Sequence, residues 1–158
     1  HYFAHLAEAL RQRGWVVANV EYRRLGDTGG GWPGSMDDVQ AAATAVLAGV
    51  KRWRVDPQRV VAVGHSAGGH LALLLAGRET RVRGVVGLAA ITDLAAYRLE
   101  KSSCADGARA LVTEVQVAEA DPQQQPVPAG AKISLWSGAA DTIVPARYGD
   151  RYAARDPN

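Results

Sequence analysis

Short, unbroken apolar runs along this chain alternate with stretches in which apolar residues recur every three or four positions. Phe3, Leu6, Ala7 and Leu10 share one helical face and Gly14 follows as a stop, so residues 2–13 are expected to form a helix. Residues 15–20 are almost continuously apolar, as a strand buried on both faces should be. Residues 23–34, centred on Gly29-Gly30-Gly31-Trp32-Pro33, read as a loop. Ser35 then opens a second helix, with Asp38 three residues on in the manner of a capping box and Val39, Ala43, Val46, Leu47 and Val50 as its buried stripe. Asp56-Pro57 marks a turn before a strand over 59–63, and a helix over about 67–76 follows. A further apolar run spans 82–91, broken by Gly84 and Gly87. Residues 92–131 are less regular, with a weak helical pattern over 107–118 and a polar stretch over 121–126 that reads as a surface loop. A short strand over 132–137 follows, and a helix starts over 148–154. Strands alternating with helices predict an α/β fold in three layers, with a mostly parallel sheet and helices on both faces.

The strand over 59–63 runs straight into Gly64-His65-Ser66-Ala67-Gly68, a G-x-S-x-G at a strand-to-helix turn. Such a turn is sharp, so the residues flanking its tip must be small, and Gly64 and Gly68 are read as meeting that demand. Ser66 at the tip is the candidate nucleophile, and His65 completes the elbow. The N–H of Ala67, at the start of the next helix, is the candidate oxyanion donor.

A serine hydroxyl needs a base to take its proton and an acid to orient that base. Asp141 lies in Gly138-Ala139-Ala140-Asp141, directly after the strand over 132–137, and is the preferred acid. Asp93 is the rival, and its structural reading is a helix N-cap. No histidine follows Asp141; the four are His1, His5, His65 and His70. His65 and His70 read as structural hydrogen-bonding residues around the elbow, and their spacing of five does not form a zinc pair. The base and the second oxyanion donor are therefore expected to lie outside the chain. His1 already sits inside an amphipathic pattern and Asn158 ends without a stop to the architecture, so the chain reads as one partial domain over 1–158.

Composition narrows the partners. The 158 residues are 47% hydrophobic and carry 18 basic against 16 acidic side chains, a net charge of +2. That balance argues against nucleic acid as a partner. Lys51-Arg52-Trp53-Arg54 reads as a helix C-terminus with cations facing the dipole. The single cysteine, Cys104, allows no internal disulfide and is expected to be a small buried side chain. Nothing marks an oxidising compartment, and the expected location is cytoplasmic. No apolar run has the length of a membrane span, so no membrane partner is expected. Gly29-Gly30-Gly31 lacks the Lys-Ser/Thr of a phosphate loop, and Ser66 replaces the second glycine that a dinucleotide fingerprint needs. No cofactor and no metal are expected.

Several stretches together resemble the α/β-hydrolase superfamily: Val20-Glu21-Tyr22-Arg23, Gly30-Gly31-Trp32-Pro33 with Asp37-Asp38-Val39, and Asp56-Pro57-Gln58-Arg59-Val60. Val63-Gly64-His65-Ser66-Ala67-Gly68-Gly69-His70-Leu71-Ala72 and Gly138-Ala139-Ala140-Asp141 with Val144-Pro145 complete the match. The chain is most similar to esterase-like members: feruloyl-esterase-like, hormone-sensitive-lipase-like and kynurenine-formamidase-like. The resemblance implies Ser66 as nucleophile, Asp141 as triad acid and the Ala67 N–H as oxyanion donor. It also implies that residues 92–131 form a cap or variable insertion that sets specificity. The implied activity is hydrolysis of a small carboxylic ester, amide or formamide through an acyl-enzyme on Ser66. Two alternatives stay open: a non-catalytic binding domain of the same fold, and a peptidase of the prolyl-oligopeptidase type.

Overall fold

The computed structural model describes residues 3–155. In chain order it contains α1 (Ala4–Gln12), α2 (Gly34–Ala48), α3 (Val50–Trp53), β1 (Val60–His65), α4 (Ala67–Arg78) and β2 (Val82–Leu88). There follow α5 (Leu94–Tyr97), α6 (Ser103–Leu111), a 3-10 turn (Glu114–Gln116), α7 (Val117–Ala120), β3 (Lys132–Trp136) and α8 (Arg147–Ala153). The sheet has the order β1-β2-β3, parallel throughout. This is the expected α/β class. The elbow and the loop carrying Asp141 therefore lie at the same, C-terminal, edge of the sheet.

Strand register divides the sheet into two faces. Ala62 pairs with Val85 and Val85 with Ile133; Gly64 pairs with Gly87 and Gly87 with Leu135. These positions face the core, where Leu71, Leu73, Leu74 and Leu75 of α4 are buried with Met36, Leu94, Tyr97 and Tyr148. The other face carries Val61, Val63 and Trp136, which are 39%, 41% and 65% exposed. Among the described residues the helices pack on the first face; α1, which forms where expected, buries no side chain.

The apolar run over 15–20 is not a strand. It has no ladder partner among the described residues and exposes Trp15, Val16, Val17 and Val20. An apolar pattern states what a segment would bury; only a neighbouring strand makes it one. The second helix also starts differently from expectation. Pro33 is its N-cap position, and no side chain caps it. Ser35 Oγ instead donates to the Arg23 carbonyl at 2.6 Å, and Asp38 accepts from Arg23 Nε at 2.8 Å and Nη2 at 2.7 Å. Arg23 holds the Asp38 carboxyl well down, at about 2. The pair thus ties the loop over 23–34 to α2. Of the expected stripe only Leu47 is fully buried, while Val39 and Ala43 pack at the core's edge. Cys104 is exposed, not buried, because the amphipathic helix α6 turns Ala105 and Ala108 inward instead.

Residues 92–131 are more ordered than their composition indicates. The weak helical pattern resolves into α6, the 3-10 turn and α7. The polar stretch is not a free surface loop: Asp121 and Pro122 are buried. Asp121 Oδ1 accepts from Leu94 N–H at 2.9 Å and Gln123 N–H at 3.0 Å, and Oδ2 accepts from Ala95 N–H and Gln124 Nε2, each at 3.1 Å. A carboxylate is tolerable in the interior when donors surround it like this, and two of these donors are the otherwise orphaned first N–H groups of α5. Asp121→Ala would leave three backbone donors, that of Leu94 buried and those of Ala95 and Gln123 half-buried, without an acceptor. It is expected to destabilise the fold by about 3 kcal/mol, read as a lower midpoint in urea at an unchanged slope. A loss below about 1 kcal/mol would mean that water replaces the carboxylate.

Candidate active site

Ser66 sits between β1 and α4 at φ 53°, ψ −118°. A non-glycine residue at positive φ costs on the order of 1–3 kcal/mol, and the surroundings must impose it. Here they do so through the backbone. The Ser66 N–H donates to the Leu88 carbonyl at 2.9 Å, and the Ser66 carbonyl accepts from His70 N–H at 3.1 Å and Ile91 N–H at 3.4 Å. The Ser66 side chain makes no capping bond to α4. Its hydroxyl is thus not consumed by the helix it precedes. Ala67 is the first residue of α4, so its N–H belongs to the first turn, where backbone donors point off the helix end.

The steric demand at the elbow falls differently from the motif's reading. A Cβ on Gly64 would lie 2.1 Å from the Gly68 carbonyl oxygen, so Gly64 is required. A Cβ on Gly68 would meet nothing within 4 Å. The second required glycine is Gly69, where a Cβ would lie 2.6 Å from the Ala90 Cβ. The doubled glycine after Ala67 was the available signal, but its reason is a segment 21 positions downstream. That segment is itself bent: Ala89 has φ 45°, and its N–H donates to the Trp136 carbonyl at 2.7 Å.

Asp141 lies five residues beyond the end of β3. Its N–H donates to the Gly138 carbonyl at 3.1 Å, closing a tight turn. Its Oδ1 accepts from the N–H groups of Ile143 and Val144, both at 2.9 Å. The Val144 and Ile143 bonds hold the carboxyl below its usual range against the opposing effect of burial, and nearby His65 lowers it a little further. Asp141 is therefore a fixed, ionised acceptor. Asp93, the rival, has the structural role: its Oδ1 caps α5 through Ala96 N–H at 2.9 Å, and its Oδ2 pairs with Arg151 Nη1 at 2.5 Å.

The histidines divide clearly. His70 is buried in α4 and its Nε2 donates to the Ala120 carbonyl at 2.5 Å, tying α4 to α7. A carbonyl only accepts, so the ring proton is on Nε2. This is a structural hydrogen bond at the elbow's helix, as the sequence reading had it. His65 ends β1 on the sheet face that carries Leu88 and Trp136. His1 lies outside the described residues. No group of three or more metal-ligating side chains occurs among the described residues, and no described helix is long and apolar enough to cross a membrane.

Burial pushes the His70 pKa below 6.5, outweighing the Ala120 bond and the Asp121 charge, which raise it. The unfolded chain then binds a proton that the native state refuses. Stability carried by neutral His70 is complete above about pH 6.5 and is lost as pH falls below it. The slope approaches about 1.4 kcal/mol per pH unit. His70→Gln keeps an amide donor toward Ala120 and removes this titration. Urea unfolding from pH 8 to pH 5 should show the wild-type advantage over the variant shrinking with acid; parallel curves would refute the assignment.

No curated protein sequence matches the chain. Among solved structures, a carboxyl esterase 2 from the mycorrhizal fungus Tuber melanosporum is similar over 98% of this chain and 57% of that one, at 20% identity and a TM-score of 0.77. A sugar hydrolase from Lactococcus lactis matches 96% of this chain and 60% of its own, at 22% identity and a TM-score of 0.74. An acetyl ester-xyloside bifunctional hydrolase from Caldicellulosiruptor lactoaceticus matches 85% and 53%, at 21% identity and a TM-score of 0.70. The likeness is one of fold, and the chain spans between half and two thirds of the length of these three structures. The sequence model of the BD-FAE family matches residues 1–150. With that match over nearly its whole length, and a parallel sheet that ends in a strained serine elbow, the chain belongs to the BD-FAE family of α/β-hydrolase esterases.

Proposed function

We propose that the protein is a serine hydrolase that cleaves a small carboxylic ester, or an amide or formamide, through an acyl-enzyme on Ser66. The observation that carries the reading is the backbone of Ser66, strained at φ 53° with its hydroxyl uncommitted to capping. Ser66 Oγ attacks the substrate carbonyl, the Ala67 N–H receives the developing oxyanion, and α4 adds the positive end of its dipole. Asp141 orients an imidazole that takes the serine proton, and its Oδ2 is the oxygen that accepts from that ring. β1 and β3 flank β2, so their C-terminal ends are about 10 Å apart. That separation suits a ring hydrogen-bonded on both nitrogens. His70 is committed to the Ala120 carbonyl, and no histidine follows Asp141 in these 158 residues, so neither supplies the base in this reading. Residues 92–131 form the variable wall that sets specificity. The substrate is a small molecule.

The test is covalent. The full-length protein treated with a fluorophosphonate should gain one adduct, and peptide mass spectrometry should find it on Ser66. An unlabelled protein would leave the non-catalytic binding domain as the better reading, and an adduct on another residue would move the nucleophile away from Ser66.

A further inference from the structure

We propose that Glu100 is a positioning residue for Asp141, acting through Tyr148 and Arg147 on the first turn of α8. The inference rests on the reading of Asp141 as the triad acid. Asp141 hangs on a loop that is exposed from residue 137 to 140 and again at 142 and 143. The loop has two anchors. One is the sheet, through Ala89 N–H to the Trp136 carbonyl at 2.7 Å. The other is the core, through buried Val144 and Tyr148. Val144 is also a donor to Asp141 Oδ1, so a rotation of the turn over 144–148 moves the carboxylate's partner with it.

The chain after β2 holds that second anchor at three points. Thr92 Oγ1 donates to the Tyr148 carbonyl at 2.8 Å. The Tyr97 ring meets the Tyr148 ring edge-on, with centroids 5.7 Å apart at 79°. Glu100 Oε1 accepts from the Tyr148 hydroxyl at 2.5 Å and from Arg147 Nη2. The first two contacts fix the backbone and ring of Tyr148. Glu100 fixes the hydroxyl end and the neighbouring arginine, and so the rotation of α8 about its first turn. Glu100 is itself held from behind, because Arg109 Nη1 donates to its backbone carbonyl at 3.1 Å. The Tyr148 hydroxyl, and then Arg147, keep the Glu100 carboxyl below its usual range. Burial and then Glu100 push the Tyr148 hydroxyl up to about 12, so it stays a donor across the neutral range. Part of the irregular segment 92–131 thus braces the acid loop, in addition to whatever it does for specificity.

The experiment uses the full-length protein with p-nitrophenyl acetate, and unfolding midpoints to check each variant. Glu100→Ala should lower kcat roughly tenfold and leave KM within about twofold. Glu100→Gln, which keeps an acceptor for Tyr148, should recover most of the loss. In an Asp141→Asn background Glu100→Ala should cost nothing further, because the group it positions has lost its function. If Glu100→Ala does not fold, Tyr148→Phe decides, since it removes one hydroxyl and keeps the ring against Tyr97. The inference is overturned if kcat is unchanged, if the change lies in KM alone, or if the loss persists in full on Asp141→Asn. An Asp141→Asn variant with wild-type kcat overturns this inference and the acid assignment together. A crippled Asp141→Asn with an unaffected Glu100→Ala overturns this inference alone.

Discussion

Ser66→Ala in the full-length protein is expected to lower kcat for p-nitrophenyl acetate by about 10⁵-fold or more, down to the background of the assay, with the unfolding midpoint unchanged or raised. The two effects have separate causes. Loss of Oγ removes the attacking atom, and the oxyanion donor and binding surface that remain supply only a small part of the rate. The fold does not need the hydroxyl, because Ser66 is held by its backbone bonds to Leu88, His70 and Ile91 and its side chain caps nothing. Alanine at φ 53° carries the same backbone strain as serine, so the elbow persists. Turnover of the variant within about a hundredfold of wild type would remove Ser66 from the mechanism. A collapsed midpoint would instead show that the hydroxyl has a structural partner.

Asp141→Asn is expected to lower kcat by about 10⁴-fold with KM little changed. The amide retains the volume of the carboxylate and, through Oδ1, its bonds from Ile143 and Val144. What it loses is the charge that stabilises an imidazolium and the second acceptor that fixes the ring's tautomer. The rival carboxylate provides the control. Asp93→Asn keeps the capping oxygen of α5 and weakens only the pair with Arg151, so kcat should stay within about threefold while the midpoint drops. The reverse pattern, with Asp93→Asn crippling and Asp141→Asn harmless, would exchange the two roles. Steady-state kinetics with thermal unfolding of both variants distinguishes the cases.

The sequence by itself determined the features whose causes are local. β1, the turn at Ser66 and α4 lie within 19 consecutive residues, and the change from a continuous apolar run to a helical one around a G-x-S-x-G has few other solutions. The turn at Gly138 and the capping role of Asp93 depend on neighbours three positions away, and both were legible. Tertiary structure decided everything whose partner is distant. Residues 15–20 have the composition of a strand, but a strand exists only against a neighbour, and none of the described residues supplies one. Gly69, more than Gly68, must be glycine because Ala90 arrives beside it. Asp121 looked like part of a polar loop because its donors Leu94 and Ala95 are 27 and 26 positions away. Nothing local singles out Glu100, because its partner Tyr148 lies 48 positions on. Local periodicity reports which face a segment wants to bury, whereas the partner of a buried carboxylate or a crowded glycine is set by the path of the whole chain.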